Sequence, residues 1–230
     1  MSYTKRLLIL LGSFFTTFIF LSLMSTIVTP LFARFDYTMT TYVIYPLYST
    51  LTFFFFVLLL SVLRIVVYGK ILKENSIFLT IRADKITITD RLWYYIFIGL
   101  ICFLPIIRGS SSGFINIVPI FLFLIIVLLV ELILRFSIKR IKINFLRSGI
   151  LVSGFDTRIN IPMEGLGTQI RNDYGYYSYN DIESYYIFPD RVELFLITER
   201  GKIVLKVDNE QLRQLKGILA QQQIKVRKHL

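Results

Sequence analysis

Four long runs of apolar residues constrain this chain more than any other feature. Leu7–Val28 carries no charge over 22 residues. Tyr37–Leu63 is uncharged and clearly apolar from about Tyr42, with Pro46 placed to kink its outer turn. Leu92–Ile107 holds 16 residues between Arg91 and Arg108, and Phe114–Val130 continues past Glu131 to Phe136. A helix rises about 1.5 Å per residue, so about 20 residues cross a hydrocarbon core about 30 Å thick. The third run is short. However, its flanking arginines can snorkel outward, and Trp93, Tyr94 and Tyr95 form an interfacial belt at its start. Spans at about 7–28, 42–63, 92–107 and 114–134 are expected, the last two joined as a helical hairpin by the polar turn Gly109–Gly113. Lys5 and Arg6 precede the first run as they would in a signal peptide. The run exceeds the usual apolar core of about 7–15 residues, so an uncleaved anchor is expected.

Basic residues set the orientation. Lys5 and Arg6 lie before the first span. Arg64, Lys70, Lys73, Arg82, Lys85 and Arg91 lie in the loop 64–91, and Arg135, Lys139, Arg140, Lys142 and Arg147 follow the fourth span. The two opposite loops have only Arg34 and Arg108. This predicts a multi-pass protein of the cell membrane with both termini and the loop 64–91 cytoplasmic, which requires an even number of spans. Of the 41 charged residues, 25 fall after residue 136, so the chain divides into a transmembrane domain, 1–136, and a cytoplasmic α+β module, 137–230. The net charge of +11 then points to an anionic membrane surface rather than to nucleic acid. Lys139, Arg140, Lys142 and Arg147 are the candidate lipid contacts, at about 1 kcal/mol each.

The module alternates apolar and polar residues. Ile138, Ile141, Ile143 and Phe145 begin it; Gly149–Gly154 frames a short strand; Arg158–Met163, Tyr176–Tyr179, Ile182–Phe188, Val192–Thr198 and Lys202–Val207 follow. About seven strands spaced this way suggest a small antiparallel barrel or sandwich. Asp208 with Gln211 forms a capping-box pattern, and Leu212, Leu215 and Leu219 make the stripe of an amphipathic helix over about 209–223, which would close one barrel end. In the loop 64–91, alternation at Ile77, Leu79 and Ile81 and again at Ile86 and Ile88 suggests a β-hairpin, Ser76–Thr89, packed on the module.

Three features together, Gly149-Ile-Leu-Val-Ser-Gly154, Tyr179-Asn-Asp-Ile-Glu-Ser-Tyr185 and the terminal hairpin and helix, resemble bacterial pleckstrin-homology-like (PH-like) domains fused to transmembrane helices. The resemblance covers about residues 138–225. It implies a seven-stranded barrel with a C-terminal helix and a role as scaffold or membrane-proximal binding module, and it carries over no catalytic residue. Tyr179 stands where tryptophan is common in that pattern, and 155–175 reads as an insertion.

The chemistry of enzymes is not visible. His229 is the sole histidine and Cys102 the sole cysteine, which leaves no catalytic triad and no metal-ligand spacing. No phosphate-binding glycine loop occurs, so no enzyme activity and no cofactor are expected. Asp181, Glu183, Asp190 and Glu193 read as a solvated sheet face. Tyr174, Tyr176, Tyr177, Tyr179, Tyr185 and Tyr186 read as module core and cross-strand pairs. Lys225, Arg227 and Lys228 read as a mobile solvated end. Within the bilayer, Glu131 with Arg135 four residues on is a candidate ion pair, preferred over a proton or cation site. Gly12/Thr16 and Ser13/Thr17 read as the packing face of the first span, with hydrogen bonds across the contact. The implied partners are the lipid bilayer, a protein bound by the module and further copies of the chain; an accessory role in a transport or bacteriocin-immunity system is the alternative.

Overall fold

The computed structural model describes residues 3–83, 88–108, 117–159, 170–197 and 201–227. The Gly109–Gly113 turn, Lys85 and Ile86 of the expected hairpin, residues 160–169 of the insertion with the end of the expected Arg158–Met163 strand, Lys228 and His229 lie outside them.

Helix α1 spans Tyr3–Phe32. A short turn α2, Tyr37–Met39, runs through a five-residue π turn, Thr40–Ile44, into α3, Tyr45–Glu74. The kink expected at Pro46 takes the form of that π turn. Proline lacks an N–H and its ring crowds the carbonyl four residues earlier, so the turn before it widens while the helix continues. Helix α4 covers Ile88–Arg108 and α5 covers Ile117–Ile138. Three segments, Thr4–Phe32, Tyr37–Glu74 and Ile117–Ile138, are long and apolar enough to cross a membrane; Arg91–Ile107 is a shorter apolar helix. Together they mark a membrane protein. Helix α1 packs along α3 and α4 along α5, with α3 touching α4. Phe53, Val57, Tyr94, Ile98, Cys102, Ile126, Val130 and Leu134 form the core shared by α3, α4 and α5.

Ser13 and Thr17 are buried, whereas Thr16 is exposed and nothing lies within 4 Å of a Cβ built on Gly12. The packing face is thus one of the two expected pairs. Its hydroxyls bond along the helix, Ser13 to the Ile9 carbonyl and Thr17 to the Ser13 carbonyl, rather than across it.

Nine strands follow among the described residues: β1 Ile77–Arg82, β2 Lys142–Leu146, β3 Gly149–Ser153, β4 Ile170–Arg171, β5 Gly175–Ser178, β6 Ile182–Ile187, β7 Val192–Leu196, β8 Gly201–Leu205 and β9 Lys225–Val226. They form two sheets, ordered β1-β2-β3-β5 and β4-β8-β7-β6-β9, rather than a closed barrel. One bridge, Ala83 to Leu205, joins them at a corner. Helix α6, Asn209–Gln221, starts at the Asp208/Gln211 capping box and buries Leu215 and Leu219 in the core both sheets share. Lys225–Val226 pairs in parallel with β6, and Arg227 N–H donates to the Tyr185 carbonyl, so that part of the tail is held.

The loop hairpin is corrected in an instructive way. Its first half is β1, but β1 pairs antiparallel with β2, and Ile88 already belongs to α4. A two-stranded hairpin is marginal in water, whereas an added edge on a buried sheet is not. The first sheet therefore takes one strand from before the α4–α5 pair and three from after it. Both of its faces are covered: Ile143, Phe145, Ile150 and Val152 join the module core, while Leu146 and Leu151 pack with Ile9, Leu60 and Tyr68 of α1 and α3.

Candidate functional site

The functional candidate is the seam where the helices meet the module. After β3 the chain leaves the sheet at Gly154, whose φ of +119° and 2.1 Å clearance between an ideal Cβ and the Arg140 carbonyl oxygen exclude other residues. Phe155–Arg158 then runs outside any helix or strand. Its backbone carbonyls must find donors elsewhere, and side chains from three helices supply them. Ser137 of α5 donates to the Phe155 carbonyl at 2.9 Å. Arg64 of α3 reaches the Arg158 carbonyl at 2.9 Å and the Asp156 carbonyl at 3.4 Å. Tyr94 of α4 donates to the Thr157 carbonyl. The Ser137 hydroxyl also accepts from the Thr157 N–H at 3.1 Å. Helix α1 adds a fourth connection: Arg6 donates to the Tyr177 hydroxyl at 2.5 Å and pairs with Asp173 at 3.7 Å.

Two of the seam's three arginines face carboxylates, Arg6 at Asp173 and Arg158 at Asp156. Asp156 and Arg158 form a buried two-point pair, Nε to Oδ1 at 2.9 Å and Nη2 to Oδ2 at 2.8 Å. Burial would raise the Asp156 carboxyl, but the Arg158 guanidinium, its hydrogen bonds and Arg64 hold it below the usual range. Asp173 goes the other way: burial raises it, and Arg6 and Arg158 offset only part of that. Arg158 also donates to the Asn172 carbonyl at 2.7 Å. Asn172, at φ 54°, uses its amide as a surrogate strand, accepting from Val204 N–H at 2.7 Å and donating to the Val204 carbonyl at 2.9 Å. The seam thereby reaches β8. Tyr174, pushed up to about 12 by burial, lies under Arg64, 5.7 Å from its guanidinium, and beside Tyr68, their rings 5.4 Å apart.

Glu131 sits toward the module end of α5. One oxygen accepts from the Tyr95 hydroxyl; the other lies 3.6 Å from Arg91 and 3.7 Å from Arg135. Arg91 and Tyr95, both on α4, are the partners that sequence spacing did not supply. Lys139, Arg140, Lys142 and Arg147 are all exposed, and Arg140 stacks on Phe136 at 4.4 Å.

Tyr177, Tyr179 and Tyr185 are in the module core, and Tyr174 is in the layer under the helices. Glu193 does not belong to a solvated face. It is buried, accepting from Arg191 at 2.8 Å and Lys202 at 2.7 Å; burial raises its carboxyl, but those hydrogen bonds win and hold it low. Asp181 caps the 3-10 turn Tyr179–Asp181 through the Ser178 N–H. Among the described residues no cluster of His, Cys, Asp and Glu can hold a metal ion. An open groove of about 700 Å³ lies between Phe78 of β1 and Arg213, Gly217 and Ile218 of α6.

Apolar helices docked through a polar seam onto two β-sheets mark a membrane protein with a β-sheet region packed against its helices. Comparison with known protein families, with curated proteins and with solved structures finds no match for this chain.

Proposed function

We propose that this is a non-enzymatic, four-span protein of the cell membrane whose cytoplasmic PH-like module serves as a scaffold or membrane-proximal binding module. The observation that carries the reading is the Phe155–Arg158 segment, whose carbonyls are held by Ser137, Arg64 and Tyr94 while Arg6 holds Asp173 and Tyr177. Such a seam presents the module in one attitude instead of on a flexible tether. The same contacts support the reading of four crossings. The start of α1, the end of α3, the start of α4 and the end of α5 all touch the module, so each helix pair leaves and returns on one side. Helix α4, 21 residues, is about 30 Å long, enough to cross. The basic-residue count supports a cytoplasmic location for that side. The β1/α6 groove is the surface offered to a protein partner. A transport role is the weaker reading, because Tyr95, Arg91 and Arg135 hold both Glu131 oxygens.

The test is in-cell photo-crosslinking of the full chain from positions 78 and 214, with position 183 as a control, in parallel with binding of the reconstituted protein to anionic vesicles. The reading expects a discrete adduct from 78 and 214 that fades when Arg64→Met loosens the seam. No adduct from either position, together with no preference for anionic vesicles, contradicts it.

A further inference from the structure

Glu131 lies six residues before Ser137, which touches the module, so its cluster sits about 9 Å below the seam along α5. On the four-span reading, that is headgroup depth. Among the described side chains the charges there do not balance. One carboxylate faces two guanidinium groups at 3.6 and 3.7 Å, and Arg140, two residues past the end of α5 and stacked on Phe136, meets no carboxylate among the described residues. Arg135 is 74% exposed on a face that also exposes Leu128, Leu132 and Phe136. At headgroup depth that exposed side chain can snorkel to the interface, within reach of lipid phosphates. Among the described residues the Arg91 Nε is buried without a hydrogen-bond partner, although the side chain is 40% exposed. Trp93, 61% exposed two residues on, is the side chain expected at headgroup level.

We infer that Arg91, Arg135 and Arg140 form a binding site for the phosphate of an anionic phospholipid, with the Glu131 carboxylate between the first two guanidinium groups offsetting only one of their charges. Guanidinium forks match phosphate oxygens two at a time, which an ammonium group does not do. The surplus positive charge favours lipids with net negative charge over zwitterionic ones, whose ammonium or choline would be repelled. The site differs from the exposed Lys142 and Arg147, which have no such geometry. It rests on the membrane-spanning reading given above.

The experiment is native mass spectrometry of the detergent-solubilised full chain. It is titrated with phosphatidylglycerol, with phosphatidylcholine, and with phosphatidylglycerol plus inorganic phosphate. Wild type should retain phosphatidylglycerol preferentially. Arg91→Gln and Arg135→Gln should each weaken retention about fivefold, and the Lys142→Gln/Arg147→Gln double variant less than about twofold. Glu131→Gln should strengthen retention, because it removes the competing carboxylate while keeping a side chain Tyr95 can bond. Equal retention of the two lipids overturns the site, as does equal loss in the lysine–arginine control or loss on Glu131→Gln. Displacement by inorganic phosphate marks a soluble-anion site and overturns the lipid assignment. Resistance of every variant to alkaline extraction is read separately and reports on membrane integration alone.

Discussion

Replacing Arg64 with methionine tests the seam at its most connected residue. Methionine keeps the length of the stem and its packing but removes the guanidinium. Two buried carbonyls, of Arg158 at 2.9 Å and of Asp156 at 3.4 Å, lose their donor. A stranded buried acceptor costs about 1–3 kcal/mol, with the longer bond at the low end. The lost cation over Tyr174 adds about 0.5–1 kcal/mol. Relief from burying a guanidinium works in the opposite direction, and the net expected loss is about 2–4 kcal/mol in opening the seam. In nanodiscs, hydrogen exchange of peptides covering 150–158 and 170–178 should therefore accelerate about 30-fold to about 1,000-fold, with β7 and β8 little changed. Arg64→Lys, with a single compact charge, should fall between. Exchange within about twofold of wild type in a folded Arg64→Met protein refutes the view that this side chain holds the segment.

Three further outcomes are expected. Asp156, held low, stabilises the fold above the ordinary carboxylate range, and that contribution is lost as pH falls through its lowered value; Asp173, raised, binds its proton more tightly when folded, so its contribution is present in acid and lost as pH rises through its raised value. Thermal stability should therefore rise slightly on mild acidification before it falls, Asp173→Asn should remove the rise, and the same profile in Asp173→Asn and wild type contradicts this. Gly154→Ala should cost about 1–3 kcal/mol in thermal unfolding, since φ is +119° and the Arg140 carbonyl oxygen blocks a Cβ, whereas Gly217→Ala in α6, with open space, should be neutral or stabilising. Residues 137–230 expressed alone should aggregate or unfold without cooperativity, because β2 loses β1 and its sheet loses the helices that cover Leu146 and Leu151; grafting residues 76–83 back should improve solubility, and a cooperative melt of 137–230 without them refutes the shared sheet.

The membrane-spanning character was legible because a bilayer demands long apolar helices, and few other demands on sequence are so blunt. The α6 start was legible for a similarly local reason, Asp208 and Gln211 closing a capping box. What escaped was non-local. Loop residues 77–82 alternate as any strand does, and nothing local says that their partner lies 60 residues later, beyond two helices. Gly149–Ser153 read as a short apolar strand, and its near-continuous apolarity was the trace of a sheet buried on both faces, the second face against α1 and α3. Arg64 was counted only as a topology signal, and its role depends on carbonyls some 90 positions away. Glu193 looked solvent-facing because its cover, Arg191 and Lys202, is itself charged.

The central claim is that α1/α3 and α4/α5 each leave the module and return to the same side. In a Cys102→Ser background, single cysteines at Asp36, Arg108, Lys73 and Asp208 can be labelled in intact cells with a membrane-impermeant maleimide. The account predicts labelling at 36 and 108 from outside, and at 73 and 208 only after permeabilisation. Protection of 108 alongside 208, with 36 still labelled, would show that the shorter helix turns back within the bilayer and would contradict it.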